Sequence, residues 1–174
     1  MLNPSILRIQ MSTLVDWQIR KLAGHNQGIR PYNEEQLNPA SYNLRIGPTG
    51  QTETGHKVDL VKGFTVAPGG WILTDVMEIV RIPPNHEAQV ILRSSAARRG
   101  WDHAQAGFVD PGYRGVLTLE FVNCLTFRPL FIQTGMEMVQ LKFSQLNAIP
   151  EKDYSSTGRY YGACEVEGCK DKTL

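Results

Sequence analysis

Short apolar segments separated by closely spaced turn residues dominate the sequence from position 58 onward. Turns such as Pro68-Gly69-Gly70 and Pro83-Pro84-Asn85 interrupt it before an apolar run reaches the length of a helix. Because the long helical segments that βαβ units need are missing between these runs, the pattern predicts a mostly β sandwich or jelly roll. Strands are predicted over residues 41–47, 64–66, 71–73, 77–82, 88–92, 116–122, 131–132 and 139–143.

The N-terminal part holds the one helix that the sequence predicts, over residues 13–23. Thr13 followed by Asp16 fits a capping box. Val15, Ile19 and Leu22 then recur at helical spacing and define one apolar face. Gly24 fits the C-terminal end of this helix.

Three other stretches look irregular. Residues 1–11 predict a loose or strand-like leader, and residues 47–55, rich in Gly, Pro and Thr, predict an exposed turn. After Pro150 the composition becomes polar and Gly- and Ser-containing. We therefore expect one β domain over 1–150, with 151–174 forming a flexible C-terminal tail or lid of the same domain.

Length and charge limit the classes of function. The chain has 174 residues and a formal net charge of +1. The length suits one domain with a sizeable core, and the charge argues against a non-specific nucleic-acid binder, which is usually strongly basic. No apolar run approaches the roughly 20 residues that span a bilayer, and the N-terminal residues lack the pattern of a signal peptide. A cytoplasmic protein without nucleic-acid or membrane partners is expected.

The predicted strand 116–122 carries a carboxylate among apolar neighbours. Alternation assigns Leu117, Leu119 and Phe121 to the core and Glu120 to the opposite face. If that face is open to water, Glu120 is an ordinary solvated residue, and the pattern alone favours this interpretation. If another subunit covers the face, burial would raise the pKa of Glu120 and nearby arginines would lower it, a combination suited to general acid–base catalysis.

Groups that bind phosphates and sugars lie just before this strand. Residues 93–99 combine Ser94 and Ser95 with three arginines, which are the donors that phosphate oxygens need. A strand end followed by a solvated basic loop would give the same pattern. Asp110 opens a Pro-Gly turn that leads to Tyr113, where aspartate is also favoured for local reasons. Its carboxylate beside an aromatic ring could hold a sugar hydroxyl.

The motif of a zinc-dependent nucleobase deaminase is missing. Such enzymes use H-x-E with a later P-C-x-x-C, whereas His103 is followed at the second position by Gln105 and no P-C-x-x-C occurs. Cys164 and Cys169 have no second cysteine pair to complete a zinc site. No metal bound directly by the protein is predicted, and three cysteines do not suggest a disulfide framework.

Several motifs, in order, resemble the dCTP deaminase branch of the dCTP deaminase/dUTPase superfamily. The central ones are RSSAARRG at 93–100, AGFVDPGYRGVLTLEFVN at 106–123 and GMEMVQLKF at 135–143. SYNLRIG at 41–47 and YSSTGRYYG at 154–162 are similar to the family's early strand motif and its tail. The resemblance covers most of the chain.

This resemblance implies a mostly β, dUTPase-like distorted jelly-roll β-barrel that forms a homotrimer with active sites between subunits. It implies hydrolytic deamination of dCTP to dUTP and ammonia without catalytic zinc, and a triphosphate held through Mg²⁺. Glu120 matches the catalytic glutamate, and Ser94 and the carbonyl of Ala106 match the groups that orient the attacking water. Arg98 and Asp110 complete the set of expected catalytic residues. The nucleotide contacts that the resemblance implies are Arg93, Ser94, Ser95, Arg98, Asp110, Tyr113, Thr118, Leu119, Glu120, Gln140, Tyr154 and Arg159.

The sequence departs from the family pattern in places that leave alternatives open. Asn43 stands where the family usually has Asp, Arg159 replaces a Lys, and Ala163 falls on the position of a tail Gln. AGFVD and YRG are similar to bifunctional deaminase/dUTPases, in which Asp110 would activate a water that attacks the α-phosphate. A dUTPase or bifunctional enzyme giving dUMP, and a non-catalytic nucleotide-binding regulatory trimer, are therefore the alternative functions.

Overall fold

The computed structural model describes residues 12–104 and 106–171, which form thirteen strands and a few short helical segments. The leader expected at 1–11 lies outside the described residues. The strands are β1 Ser12–Thr13, β2 Ile29–Arg30, β3 Leu37–Asn38, β4 Ser41–Thr52, β5 Lys57–Asp59, β6 Phe64–Val66, β7 Trp71–Arg81, β8 His86–Leu92, β9 Trp101–His103, β10 Phe108–Val109, β11 Arg114–Asn123, β12 Leu130–Ile132 and β13 Glu137–Gln145. The helical segments are α1 Asp16–Ile19, a π-helical turn Arg20–His25, a 3₁₀ turn Glu34–Gln36, α2 Ser94–Ala97 and α3 Tyr154–Thr157.

Eleven of these strands form one antiparallel sheet in the order β10-β8-β13-β4-β7-β11-β9, with β1, β2, β3 and β5 added at its margins. β6 and β12 pair separately. The largest fully buried side chains, among them Tyr42, Phe121 and Phe143, lie in one core. The expected mostly β, jelly-roll-like fold is confirmed. No helix in the described part of the chain is long and apolar enough to cross a membrane.

Two central strands are longer than predicted. β4 continues to Thr52 through the turn expected at 47–55, because Asp75 of β7 accepts hydrogen bonds from the amide and hydroxyl of Thr49 at 3.0 and 2.6 Å. Gly47 is required there, since a Cβ at this position would overlap the Asp75 carboxylate. The pairing shifts register between Ile46 and Gly50, which absorbs the irregular residues as a bulge. β7 is likewise one strand instead of two, since buried Asp75 is satisfied across the sheet.

The N-terminal helix begins later than predicted. Thr13 pairs with Ser144 in β1–β13 and therefore does not cap the helix. The helix begins at Asp16, and Gln18 Oε1 accepts a hydrogen bond from the Val15 amide at 3.1 Å. Ile19 is buried as expected, but Val15 is exposed, so the predicted apolar face is only partly correct.

A buried ion pair ties β4 to β7. Glu78 has no exposed surface, and its carboxylate accepts from the Arg45 guanidinium at 2.7 Å and from the Arg45 amide at 3.0 Å. The buried side chain of Gln36 donates to the same carboxylate at 3.2 Å. Three donors thus converge on this one carboxylate, although Gln36 Nε2 also donates to the Asn43 carbonyl at 2.7 Å.

Replacing Glu78 with alanine should destabilise the protein by about 3 kcal/mol, because it leaves buried donors and a partly buried guanidinium without a partner. Chemical denaturation monitored by tryptophan fluorescence would measure the loss. The matched control is Glu34→Ala, which removes the surface ion pair with Arg20 and should leave the denaturation midpoint nearly unchanged. Equal effects of the two variants would contradict a special role for the buried pair.

Candidate active site

A cleft of about 390 Å³ opens between β11 and the C-terminal segment, residues 151–171. Its wall is largely apolar, with Trp71, Leu73 and Phe108 among its residues, and carries a few acidic and hydroxyl groups. Such a cleft suits a small ligand with one flat and one polar part. The site residues expected from the sequence that line it are Ala106, Asp110, Tyr113, Thr118, Glu120 and Tyr154.

Glu120 is placed by the pairing of β11 with β7. It lies opposite Leu73, while Leu119 and Phe121 point into the core as predicted. The Glu120 side chain is only 24% exposed, and Oε2 has no hydrogen-bond partner in the described residues. Burial raises the pKa of this carboxyl above its ordinary value, and the main opposing influence is a backbone hydrogen bond. The group is therefore poised to take up and release a proton.

The turn that begins at Asp110 forms the end of the cleft. The Tyr113 amide donates to the Asp110 carbonyl at 3.1 Å, and Gly112 has a φ of +82°, which favours glycine. The Tyr113 hydroxyl donates to the Val116 carbonyl at 2.9 Å, which fixes its ring beside the Tyr154 ring, with centroids 5.4 Å apart. Asp110 is thus held rigidly beside two aromatic rings.

The arginine- and serine-containing segment lies in a different place. Arg93, Ser95 and Arg99 line a separate cavity of about 320 Å³, together with Glu137. Ser94 begins the short helix α2, and Arg98 directly follows it. Within one chain, the arginines expected to lower the pKa of Glu120 are therefore not in its cleft.

Glu137 explains why asparagine stands at position 43. The Asn43 side chain donates to Glu137 Oε2 at 2.8 Å, and Arg93 donates to the same oxygen at 2.7 Å. An aspartate at position 43 would place a second carboxylate against Glu137. Sequence reasoning missed Glu137, because nothing local to either motif shows that they meet across β4 and β13.

The remaining predicted contacts are engaged within the chain. Gln140 accepts from the Ser41 hydroxyl at 3.0 Å, and Arg159 forms an exposed ion pair with Asp171 at 2.7 Å. Leu119 is buried, so only its backbone is open to a role at the cleft. These residues are not assembled with Glu120 by side-chain contacts in the single chain.

The C-terminal segment docks directly on β11. The Val116 amide donates to the Ala163 carbonyl at 2.8 Å, and the Glu167 amide donates to Thr118 Oγ1 at 3.0 Å. Gly115 permits this approach, because a Cβ there would lie 2.9 Å from the Ala163 nitrogen. The strand that bears Glu120 is thus covered by this chain's own C-terminal segment.

His103 is a further residue at the site that the sequence did not indicate. Its Nε2 lies 3.8 Å from Glu120 Oε2, and its side chain is 5% exposed. Sequence reasoning considered it only as a zinc ligand, and the pairing of β9 with β11 could not be read from the short run 101–103.

Comparison with known proteins gives the family. A family model described as dCTP deaminase-like matches residues 13–146. A relative from Pyrococcus horikoshii, named dCTP deaminase, is 34% identical over 163 residues, which cover 92% of this chain and 99% of the relative. A relative from Methanopyrus kandleri, named "dCTP deaminase, dUMP-forming", is 36% identical over 152 residues, which cover 75% of this chain and 78% of the relative.

A solved structure shares the fold. The 2'-deoxycytidine 5'-triphosphate deaminase from Agrobacterium tumefaciens superposes with a TM-score of 0.67 at 23% identity, covering 78% of this chain and 48% of that longer chain. The family match over residues 13–146 includes β11, the strand that carries Glu120, and the strands that pair with it in the sheet. The chain therefore belongs to the dCTP deaminase-like family.

Proposed function

We propose that the protein deaminates dCTP hydrolytically to dUTP and ammonia, with Glu120 as the general base and acid. The observation that carries the proposal is the half-buried Glu120 carboxyl, which has a raised pKa and an unpartnered oxygen on the wall of the cleft. Raising the pKa of a carboxyl in this way makes it a better proton acceptor and suits it to general acid–base catalysis. Membership of the dCTP deaminase-like family supports the choice of substrate.

The proposed reaction proceeds by addition of water and loss of ammonia. Glu120 accepts a proton from water while the water oxygen bonds to C4 of cytosine. Glu120 then passes a proton to N3 of the ring. It then removes the proton from the new hydroxyl and donates one to the amine, so that the C4–N bond breaks and ammonia leaves. Ala106 lines the same cleft, and in this proposal its carbonyl orients the water.

Triphosphate binding in this proposal requires a second copy of the chain. The acidic cleft holds Asp110 and Glu120, whereas Arg93 and Arg99 line the other cavity. A nucleotide needs both chemistries, and assembly into a homotrimer would bring the arginine segment, with Ser94 and Arg98, from a neighbouring subunit to the cleft. The isolated chain thus contains two halves of a site.

Magnesium would enter with the nucleotide. The described residues contain no group of three or more His, Cys, Asp or Glu side chains that could hold a metal ion. In this proposal the Mg²⁺ is bound through phosphate oxygens of the nucleotide, and the ion would supply charge neutralisation of the triphosphate. A cytoplasmic location without nucleic-acid or membrane partners stays a prediction.

Formation of dUMP is the second candidate activity. Asp110 lies in the same cleft as Glu120, and the similar protein from Methanopyrus kandleri is named dUMP-forming. Asp110 would accept a proton from a water that attacks the α-phosphate. The third candidate is a non-catalytic regulatory trimer, and one argument for it was the asparagine at position 43. The hydrogen bond from Asn43 to Glu137 gives that residue a structural role, so the argument no longer favours this candidate.

Glu120→Gln should lower kcat for deamination by at least about 100-fold, because the side chain keeps its shape but no longer transfers protons. Dissociation constants for dCTP should change little. Product analysis by chromatography and calorimetric binding would measure the two effects. Glu53→Gln, at an exposed turn, is the control and should behave as wild type. Normal turnover by Glu120→Gln would refute the assignment.

Asp110→Asn tests the second activity. With dCTP and magnesium we expect dUTP to accumulate while dUMP formation falls at least about 100-fold, since only the pyrophosphatase step loses its base. Resolving dUTP and dUMP over time in wild type and variant would show this. Absence of dUMP from the wild type would restrict the protein to deamination.

The divided site predicts complementation between inactive subunits. Glu120→Gln and Arg98→Ala should each be inactive alone, whereas mixed trimers should regain about a third of wild-type activity, because one of the three sites in each mixed trimer joins the two intact halves. Co-expression with two affinity tags would supply mixed trimers. Light scattering should give three times the 19.5 kDa chain mass. Failure of verified mixed trimers to recover activity would place both residues in one subunit's site.

A further inference from the structure

His103 and Glu120 form a close pair of buried groups that have no other partner for the facing atoms. His103 Nε2 and Glu120 Oε2 are 3.8 Å apart, and neither has a hydrogen-bond partner in the described part of the chain. Buried polar atoms without partners are rare, and each calls for an explanation. At 3.8 Å the two atoms are too far apart for a hydrogen bond but near enough to form one after a small shift.

The ring of His103 is held in place by its surroundings. His103 lies directly opposite Phe121 in the pairing of β9 with β11, and the two rings pack edge to face with centroids 5.7 Å apart. The next residue, Ala104, donates its amide to the Glu120 carbonyl at 3.1 Å. The backbone hydrogen bond beside the pair and the packing of His103 on Phe121 thus hold the two side chains near each other.

The pair lies between two cavities. Glu120 lines the cleft, whereas His103 lines a cavity of about 390 Å³ whose other residues carry no charge. The elements packed around the pair carry these charged groups: Asp102 on β9, Asp110 and Glu167 at the cleft, Arg98 after α2 and Lys142 on β13. Glu167 is paired with Lys170 at 2.5 Å. Within the described residues, His103 is the one basic side chain with a nitrogen within 4.0 Å of the Glu120 carboxylate.

Both members are driven toward their neutral forms without nucleotide. Burial lowers the pKa of His103, and Asp102 opposes this shift, while burial raises the pKa of Glu120. A stable ion pair would instead raise the pKa of His103 and lower the pKa of Glu120. A neutral imidazole still carries one N–H, which can donate to a carboxylate.

We propose that His103 is a positioning residue for Glu120, donating from Nε2 to Oε2 when a nucleotide closes the cleft. The inference rests on the proposed role of Glu120 as general base. The hydrogen bond fixes the carboxyl orientation and stabilises its ionised form before water attack. Catalytic hydrogen bonds are often long in the free enzyme and shorten in the complex. No proton leaves His103 in this scheme.

A pair of substitutions separates positioning from packing. His103→Phe keeps a ring against Phe121 but removes the donor, so kcat for dCTP should fall about 10-fold or more with little change in KM. The acid limb of the kcat profile, which reports the nucleotide-bound enzyme, should move to higher pH, because Glu120 loses stabilisation of its charged form there. His103→Gln keeps a donor and should restore the acid limb and much of kcat.

The matched control is His86→Phe. His86 is also a half-buried histidine whose pKa is lowered by burial, but it bonds to Asn85 away from the cleft. Its pH profile should match that of wild type. An unchanged acid limb in His103→Phe, or an equal shift in His86→Phe, would overturn the proposal.

A second measurement does not depend on turnover. The chain has four histidines, so the Cε1–H signals of the nucleotide-free protein can be titrated by NMR, and the His103 signal identified from His103→Phe. Glu120→Gln should lower the pKa of His103, because ionised Glu120 favours the imidazolium. Identical titration of His103 in both proteins would refute the coupling. If the wild type deaminates dCTP but the titration of His103 does not depend on Glu120, this inference is wrong and the proposed function stands. If the wild type does not deaminate dCTP, the proposed function itself is wrong.

Discussion

The pairing of β11 with β7 positions the rest of the candidate site. The ladder runs from Arg114 opposite Arg81 to Val122 opposite Trp71, with one register shift between Val116 and Thr118. Because side chains alternate along a strand, this register puts Phe121 into the core and leaves Glu120 half-covered at the cleft. A slip of one residue would exchange the two faces. β7 is in turn fixed to β4 by the buried Glu78 and Asp75, so carboxylates far from the cleft hold the strand that positions its catalytic candidate.

Separation of opposite charges within one chain gives the site its electrostatic character. No arginine among residues 12–104 and 106–171 lines the cleft of Glu120, and burial is the dominant influence on its pKa. Arg93 is already neutralised by Glu137 in the other cavity. In the proposed function, burial favours the protonated form of Glu120, and the arginine segment would meet the charge of the nucleotide with a different surface. This division also gives a physical reason for placing an active site between subunits.

The sequence predicted the parts of the fold that depend on local pattern. Alternation was sufficient to assign Leu119 and Phe121 to the core, and the ordered motifs were sufficient for the family. It failed where distant residues decide the outcome. β4 crosses a Gly-rich stretch only because Asp75 satisfies Thr49, and β1 forms only because β13 is adjacent. His103 meets Glu120 through a three-residue strand whose partner is set by the whole sheet.

The docked C-terminal segment and a ligand in the cleft would both contact Thr118. Its hydroxyl accepts the Glu167 amide at 3.0 Å, on the same face of β11 as Glu120. A ligand that takes the place of the Glu167 amide must first displace it, so its observed affinity is reduced by the free energy of that contact, about 1 kcal/mol for an ordinary hydrogen bond. Occupancy of the cleft and attachment of the segment are therefore linked equilibria. Shortening the chain from its C-terminal end would change ligand affinity without altering any residue of the β domain.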